Sequence, residues 1–267
     1  MHRSGTTLLA SALSSSGGVS GLSNTNVRMG EGQFLQDVYL PGYEMGGVTG
    51  WAFDERAYLT EKDAHPSWQT RELWDSWSPY WDLSAPVLLE KTPLNITKTR
   101  FLQALFPHAS FVIITRHPLT QALAIMKWYP DIPGKLGRRF DLLFEHWLRA
   151  HEALRADVGH LDDVTIVRYE DITRDPVAVA TYLDDRLNLT VDKAEFAAFD
   201  TERAREYERR WDGRARGKAA PDRPLPLSWV TSLALSSAAP RIRARFEERV
   251  NALGYSMDDA GAAENWD

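Results

Sequence analysis

Three short apolar segments have the length and composition of buried β-strands. They are residues 86–89, 111–114 and 164–167. Other segments place their apolar residues on one helical face, which predicts helices at residues 6–16, 97–106 and 140–156. Strands that alternate with helices are typical of a parallel sheet covered on both faces. The pattern therefore predicts an α/β fold in which a central parallel sheet is flanked by helices.

The C-terminal part of the chain is organised differently. Residues 210–226 are basic and rich in glycine and proline, which predicts a loop. A helical pattern resumes over residues 227–253, and we expect residues 257–267, which are acidic and small, to form a disordered tail. No internal repeat is visible, and 267 residues suffice for one large core. We therefore expect a single domain over residues 1–267.

Composition narrows the possible functions. The formal net charge of −6 does not favour the broad basic surface that nucleic-acid binding requires. The chain has no cysteine, which removes disulfides, thiolate zinc sites and cysteine nucleophiles. No stretch approaches ~18 consecutive apolar residues, and the N-terminus lacks the apolar core of a signal peptide. We therefore expect no membrane span and a cytoplasmic location.

The first chemical motif, His-Arg-Ser-Gly-Thr-Thr-Leu-Leu, leads directly into the first predicted helix. Gly5 permits a tight turn, and Ser4, Thr6 and Thr7 carry hydroxyl groups that can donate hydrogen bonds. A helix N-terminus presents free N–H groups and a positive dipole end, and Arg3 adds a fixed charge. The motif predicts an anion site, although a capped surface helix explains the hydroxyl residues equally well.

Cations follow two of the predicted strands. Lys91 lies just beyond the strand at 86–89, and Arg116 lies just beyond the strand at 111–114. Pro118 suits the first position of a helix, which leaves Arg116 in the loop between strand and helix. Lysine and arginine side chains are usually solvated at the surface. Because ligands bind at the carboxyl ends of parallel strands, we expect both cations to face a ligand instead.

Four motifs, taken in order, resemble those of sulfotransferases that use 3′-phosphoadenosine 5′-phosphosulfate (PAPS). HRSGTTLL resembles their phosphosulfate-binding loop, EKTPLN their Glu-Lys-Thr-Pro segment, ITRHP their 3′-phosphate turn and RYEDITRDP their Tyr-Glu-Asp segment. The resemblance is to the large bacterial group in particular, with kinship to tyrosylprotein and heparan sulfotransferases. It implies a P-loop-like three-layer fold and sulfuryl transfer from PAPS, without a metal, to a hydroxyl or amine acceptor.

The resemblance also implies roles for individual residues. Arg116 would pair with the 3′-phosphate, where a guanidinium fork suits the oxygens. Tyr169 would line the nucleotide site, although a tyrosine buried in the sheet explains it equally well. The 5′-phosphate and the leaving oxygen would be held by the loop and the start of its helix. The residues concerned are Arg3, Ser4, Gly5, Thr6, Thr7 and Leu8.

The catalytic residues implied are Arg3, Lys91 and a carboxylate. Lys91 would approach the reacting sulfate or the acceptor, and the carboxylate would act as general base. Spacing from the loop helix favours Glu31 as this base, and Glu90 is the alternative.

The sequence departs from the family pattern at its first strand and at one position of the 3′-phosphate site. The family's loop follows a buried strand, but only Met1 precedes His2, so we expect the first strand to be missing or truncated. The family usually places a serine eight residues after the 3′-phosphate arginine, and this chain has Ala124 there. Lys127, nearly one helical turn further, is expected to replace that phosphate contact.

A P-loop kinase or NTPase is the runner-up function. It requires G-x-x-x-x-G-K-[ST] and a magnesium-binding carboxylate. Here Thr6 follows Gly5, and only Glu170 and Asp171 could bind magnesium. A non-catalytic protein that binds PAPS or its desulfo form is a third possibility. No zinc site is expected from the histidines, which are scattered along the chain.

Tryptophans at positions 74, 77 and 81 follow the spacing of one helical face. Core packing explains them, and an aromatic wall of an acceptor pocket is the alternative. The acceptor class stays open among small molecules, carbohydrates, lipids and peptides, because loops without a fixed signature form such pockets. The oligomeric state stays open as well.

Overall fold

The computed structural model describes residues 1–129, 136–197 and 229–259. Its strands are β1 (Val19–Gly21), β2 (Val87–Leu89), β3 (Phe111–Thr115) and β4 (Val164–Arg168). The three predicted strands are confirmed, with ends that differ by one residue, but the expected burial is wrong for β2, whose Val87 is exposed. The apolar pattern does not predict β1, because Val-Ser-Gly is too short and too polar to stand out. The predicted loop at 210–226 lies outside the described residues.

The strands pair in two separate sheets. β1 pairs in parallel with β2, and β3 pairs in parallel with β4. The α/β class with parallel pairing is therefore confirmed, but the single central sheet is wrong for the described residues, which contain two two-stranded sheets. A cavity of about 770 Å³, lined by β2 and β3, lies between the sheets. Strands must approach to about 4.8 Å to share hydrogen bonds, and this gap prevents it.

α-Helices precede, connect and follow the strands along the chain. They are α1 (Thr6–Ser14), α2 (Pro66–Trp77), α3 (Thr99–Leu105), α4 (Pro118–Trp128), α5 (Leu136–Val158), α6 (Tyr169–Arg174), α7 (Pro176–Leu187), α8 (Lys193–Ala197) and α9 (Trp229–Ala252). The four predicted helices, α1, α3, α5 and α9, are confirmed, with ends displaced by up to four residues. In the described ranges, no helix combines the length and the apolar character needed to cross a membrane.

Local sequence sets where α4 begins. Pro118 occupies its first position, where the missing N–H costs nothing. Nδ1 of His117 accepts a hydrogen bond of 3.2 Å from the N–H of Leu119, which caps the helix. Burial lowers the pKa of His117 to about 4, so the ring stays neutral and can accept. α4 therefore starts immediately after Arg116 and His117, and His117 caps the helix.

The largest core cluster lies between α5 and α9. Phe144 and Phe246 stack with ring centroids 5.5 Å apart, and Trp147 is buried beside them. Met257 belongs to the same cluster and is 0% exposed. Burying a methionine side chain stabilises by about 1.5–3 kcal/mol, so the prediction of a disordered tail from residue 257 is wrong at Met257. Residues 260–267 lie outside the described residues.

Candidate active site

The phosphate-binding motif folds as a turn that leads into α1. Arg3 and Gly5 both have left-handed backbone conformations, with φ of 63° and 94°. A Cβ on Gly5 would lie 2.7 Å from a ring carbon of Tyr169, so only glycine satisfies both the conformation and the close approach. α1 begins at Thr6, and the free N–H groups of its first turn therefore adjoin the loop.

Two side chains from the β3–α4 unit hold this loop in place. Nε2 of Gln121 donates a 2.6 Å hydrogen bond to the carbonyl of His2. Nη1 of Arg116 donates a 2.8 Å hydrogen bond to the carbonyl of Arg3. Both acceptors are backbone oxygens, so the two bonds constrain the path of the loop rather than its side chains.

The loop presents several groups suited to anionic oxygens. Ser4 is fully buried, and its Oγ has no hydrogen-bond partner among the described residues. A buried polar atom of this kind is costly and commonly marks a ligand or water position. Thr6 is half-buried, Thr7 is exposed and Leu8 is 47% exposed in the first turn of α1. The residues therefore fit a phosphate or phosphosulfate group at the positive end of the helix.

Arg116 follows β3 and is only 7% exposed. Its Nε donates to Oγ1 of Thr120 over 3.2 Å, in addition to the bond from Nη1 to the loop. The guanidinium carbon lies 4.1 Å from the centroid of the Tyr169 ring, a cation–π contact. Tyr169 starts α6, and its ring lies against both Gly5 and Arg116. The tyrosine thus joins the loop and the arginine in one packed unit.

Glu31 and Lys91, two of the predicted catalytic residues, lie together. Nζ of Lys91 is 3.3 Å from Oε1 of Glu31 and 3.1 Å from the carbonyl of Met29. Nε2 of Gln33 donates to the other carboxylate oxygen of Glu31. The side chains of Glu31 and Lys91 are only 7% and 12% exposed. A proton acceptor and a cation are therefore adjacent just beyond the carboxyl end of β2.

Glu90, the alternative base, accepts hydrogen bonds from one backbone N–H and two side chains. Its Oε1 accepts from the N–H of Gly32 (2.9 Å) and from Oγ1 of Thr92 (2.6 Å). Its Oε2 accepts from Nδ2 of Asn95 (2.6 Å). Burial raises the pKa of Glu90, and these hydrogen bonds offset the rise only in part. Both oxygens of Glu31 accept hydrogen bonds too, from Lys91 and Gln33, so the choice of Glu31 over Glu90 as the base stays a prediction.

Lys127 lies in the last turn of α4, and Ala124 is buried one turn before it. At 1.5 Å per residue, Lys127 is roughly 14 Å along the helix from Pro118. Thr120, in the first turn, supplies a hydroxyl contact to Arg116. The expectation that Lys127 contacts the 3′-phosphate stays a prediction, and Thr120 is a partner of Arg116 that the motif comparison missed.

Two aromatic residues at the end of α4 were also missed by sequence reasoning. The guanidinium carbon of Arg3 lies 4.6 Å from the centroid of the Trp128 ring. Nη2 of Arg28 donates a 2.8 Å hydrogen bond to the hydroxyl of Tyr129. Both contacts join residues that are far apart in the chain, so no local sequence pattern predicts them. Their only sequence signal is that the aromatic pair directly follows Lys127.

Glu170 and Asp171, the carboxylates that a kinase-like magnesium site would need, accept hydrogen bonds from other residues. Oε1 of Glu170 accepts from the N–H of His117 over 2.9 Å. Asp171 accepts from Arg168 (2.7 Å) and from Arg174 (3.1 Å). These contacts count against a magnesium role. Across residues 1–129, 136–197 and 229–259, no cluster of three or more histidine, aspartate or glutamate residues is arranged to hold a metal ion.

The three spaced tryptophans differ in burial. Trp77 is 4% exposed and donates from Nε1 to the carbonyl of Gly32 over 3.0 Å, which matches the core interpretation. Trp74 is 42% exposed, and its ring centroid lies 6.1 Å from that of Trp81. All three line the cavity between the sheets, together with Lys91. The aromatic wall of an acceptor pocket stays a hypothesis for Trp74 and Trp81.

The comparisons with known proteins agree with the arrangement of these motifs. The model of the sulfotransferase family matches residues 1–193, which span every motif from the phosphate loop to α6. No curated protein matches the chain, and no solved structure matches it either. With most of its length matched by the family model, this chain belongs to the sulfotransferase family.

Proposed function

We propose that this protein transfers a sulfuryl group from PAPS to a hydroxyl or amine acceptor by in-line displacement. The observation that carries the proposal is the bond between Nη1 of Arg116 and the carbonyl of Arg3. It joins the arginine expected at the 3′-phosphate to the loop expected at the 5′-phosphate. A ligand with phosphates at both ends of a nucleoside fits such a pair of sites.

The residues on the donor side fit this co-substrate. Arg3, the start of α1 and the hydroxyl of Ser4, which has no hydrogen-bond partner in the described part of the chain, suit the 5′-phosphosulfate end. Arg116, 4.1 Å from the centroid of the Tyr169 ring, suits the 3′-phosphate, because a guanidinium has five N–H donors and only Nε and Nη1 donate to Thr120 and the Arg3 carbonyl. A sulfuryl group carries less negative charge than a phosphoryl group, so fixed cations suffice without a metal ion.

The placement of Glu31 and Lys91 supports the following course for the reaction. When bound, PAPS supplies the sulfuryl group and leaves as 3′-phosphoadenosine 5′-phosphate (PAP). Glu31 takes the proton of the acceptor as the acceptor atom forms its bond to sulfur, and later releases it to solvent. Lys91, 3.3 Å from Glu31, balances charge on the transferring sulfate. The electron pair of the breaking S–O bond stays on the bridging oxygen, where Arg3 and the first turn of α1 stabilise it.

The P-loop-like three-layer fold is part of the proposal. Across the molecule the order is β1, β2, the cavity, β3 and β4, and both pairs are parallel. One further parallel strand in the cavity would complete a five-stranded sheet with Arg116, Lys91 and the loop along its carboxyl edge. This geometry is the one in which open α/β sheets bind ligands.

Binding of PAP is the first test. Calorimetry with and without a chelator should give the same PAP affinity, and ATP should compete poorly. Binding that requires magnesium, or a preference for ATP, would instead favour the kinase or NTPase alternative.

Transfer is the second test. Incubation with ³⁵S-labelled PAPS and a bacterial metabolite extract should label acceptor molecules. Glu31→Gln is the matched variant, since it keeps the shape of the side chain and should bind PAP but transfer roughly 10²–10⁴-fold less label. PAP binding without any labelled product from the natural chain would favour a non-catalytic binding protein.

A further inference from the structure

Trp128 is an exposed tryptophan with a specific neighbour. It ends α4, is 58% exposed, and its ring lies 4.6 Å from the guanidinium carbon of Arg3. An exposed indole contributes little to the core, so core packing does not explain this position. A guanidinium within about 6 Å of an indole centroid is attracted by the ring's quadrupole, and tryptophan is the strongest of the aromatic partners.

A second arginine at this site is seated in the same way. Arg116 lies 4.1 Å from the ring centroid of Tyr169 and keeps its N–H groups for hydrogen bonds to Thr120 and to the loop. A cation–π contact uses the face of the guanidinium, while its five donors lie in the plane. The ring therefore orients the fork without consuming a donor. Trp128 lies at a comparable distance from Arg3, with 4.6 Å between the ring centroid and the guanidinium carbon.

The helix that carries Trp128 fixes the position of the ring. α4 begins immediately after Arg116 and His117, so its first turn is tied to the 3′-phosphate side. At its other end, the N–H of Tyr129 continues the helical pattern to Ile125 over 2.9 Å. The hydroxyl of Tyr129 accepts from Arg28, which lies three residues before Glu31. The end of α4 is thereby held against the segment that carries the base.

We propose that Trp128 is a positioning residue that holds the guanidinium of Arg3 over its indole ring and so directs the in-plane donors of Arg3 at the anionic oxygens of the donor. The inference rests on the proposed function, because it needs a phosphorylated donor at the loop. It assigns Trp128 no contact with the reacting atoms.

The geometry can be tested without any ligand. In ¹H–¹⁵N spectra of the full chain, the Arg3 Nε–H signal, identified by its loss in Arg3→Lys, should be shifted upfield by the ring current. Trp128→Ala should return this signal to the range of solvated arginines, and Trp128→Phe should keep part of the shift. An Arg3 signal that is the same in Trp128→Ala as in the natural chain would overturn the inference.

The role is tested by calorimetry with PAP as the probe. Trp128→Ala should weaken PAP binding roughly 2- to 30-fold, the range expected for one cation–π contact. Trp128→Phe should recover most of the loss. In an Arg3→Ala background, Trp128→Ala should cause no further loss, because the ring acts through Arg3. Trp68→Ala, which removes another exposed tryptophan on α2, is the matched control and should bind PAP normally.

The outcomes separate this inference from the proposed function. Normal PAP binding by Trp128→Ala, or an equal loss with and without Arg3, would overturn the positioning role and leave sulfuryl transfer standing. A natural chain that does not bind PAP would overturn both.

Discussion

Nη1 of Arg116 donates a 2.8 Å hydrogen bond to the backbone carbonyl of Arg3, 113 residues earlier in the chain. Arg3 holds a left-handed conformation at that point, with φ of 63°. The bond therefore stabilises a conformation that a non-glycine residue adopts at a cost of about 1–2 kcal/mol. One side chain thus shapes the loop expected to bind the 5′-phosphate and also stands at the site expected for the 3′-phosphate.

Arg116→Ala should weaken PAP binding by on the order of 2–5 kcal/mol, as expected for loss of a desolvated charged pair. It should also remove the preference for PAPS over adenosine 5′-phosphosulfate, which lacks the 3′-phosphate. Calorimetry with both nucleotides measures this. Thr120→Val is the control, since it keeps the guanidinium and removes the acceptor of Nε together with the bond from Thr120 to the carbonyl of His117. It should cost about 1–2 kcal/mol. Equal weakening of both nucleotides in Arg116→Ala would show that Arg116 acts on the loop alone.

Gly5→Ala should abolish PAP binding and lower the melting temperature. The new Cβ would lie 2.7 Å from the Tyr169 ring, and the φ of 94° would be strained as well. Gly17→Ala is a matched control, because a Cβ there meets nothing within 4 Å. Thermal melting and PAP calorimetry of the two variants should differ sharply. Similar behaviour of both variants would mean that the turn at Gly5 can relax.

Substituting Glu31 should affect turnover, whereas substituting Glu90 should affect the stability of the fold. Glu31→Gln should reduce turnover by roughly 10²–10⁴-fold, the usual contribution of a general base, while PAP affinity stays unchanged. Glu90→Gln should lower the free energy of unfolding by about 1–3 kcal/mol, because an amide cannot accept from Gly32, Thr92 and Asn95 together. Turnover and denaturant unfolding measure the two effects. The opposite assignment of phenotypes would make Glu90 the base.

Because Lys98 is buried, the free energy of unfolding should rise with pH in the alkaline range. Its side chain is 0% exposed, its Nζ donates to the carbonyl of Ala57 over 2.9 Å, and burial lowers its pKa to about 8. The unfolded chain, with a lysine pKa of roughly 10.4, binds more protons above pH 8, so the free energy of unfolding rises with pH in that window. The rise should total about 3 kcal/mol.

Lys98→Met tests this by denaturant unfolding at a series of pH values. It should remove the rise and stabilise the protein at pH 7 by about 2 kcal/mol, since it also forfeits a hydrogen bond worth roughly 1 kcal/mol. Lys62→Met changes an exposed lysine and should leave the pH profile as it is. A profile in Lys98→Met that matches the natural chain would show that the amine ionises without penalty.

The cavity between β2 and β3 should accept a strand. Both strands line it, and each is hydrogen-bonded to only one neighbour within the described ranges. An apolar segment of about five to eight residues added ahead of Met1, which also lines the cavity, should raise the melting temperature and PAPS turnover. A Gly/Ser segment of the same length is the control. Equal melting and turnover with both segments would show that the gap does not take a strand.

Local patterns determined most of the secondary structure of this protein. Four-residue apolar runs predicted β2, β3 and β4, because their length and composition alone are typical of strands. Burial did not follow from the pattern, since Val87 of β2 is 38% exposed. Pro118 marked the start of α4 for an equally local reason. The short strand β1 was invisible, because its pairing with β2 rather than its composition makes it a strand. The chemistry of the loop was also visible, since Gly5 and the hydroxyl residues act within one turn.

Only the tertiary structure decided which of these residues act together. It paired Glu31 with Lys91 and engaged Glu90 with the backbone of Gly32, a distinction between two carboxylates that no spacing reveals. It also placed Trp128 against Arg3. Turns and helices depend on residues that are three or four positions apart, so the sequence alone indicates them. Ion pairs and cation–π contacts of this site join residues that are far apart in the sequence, and only the folded chain brings those segments together.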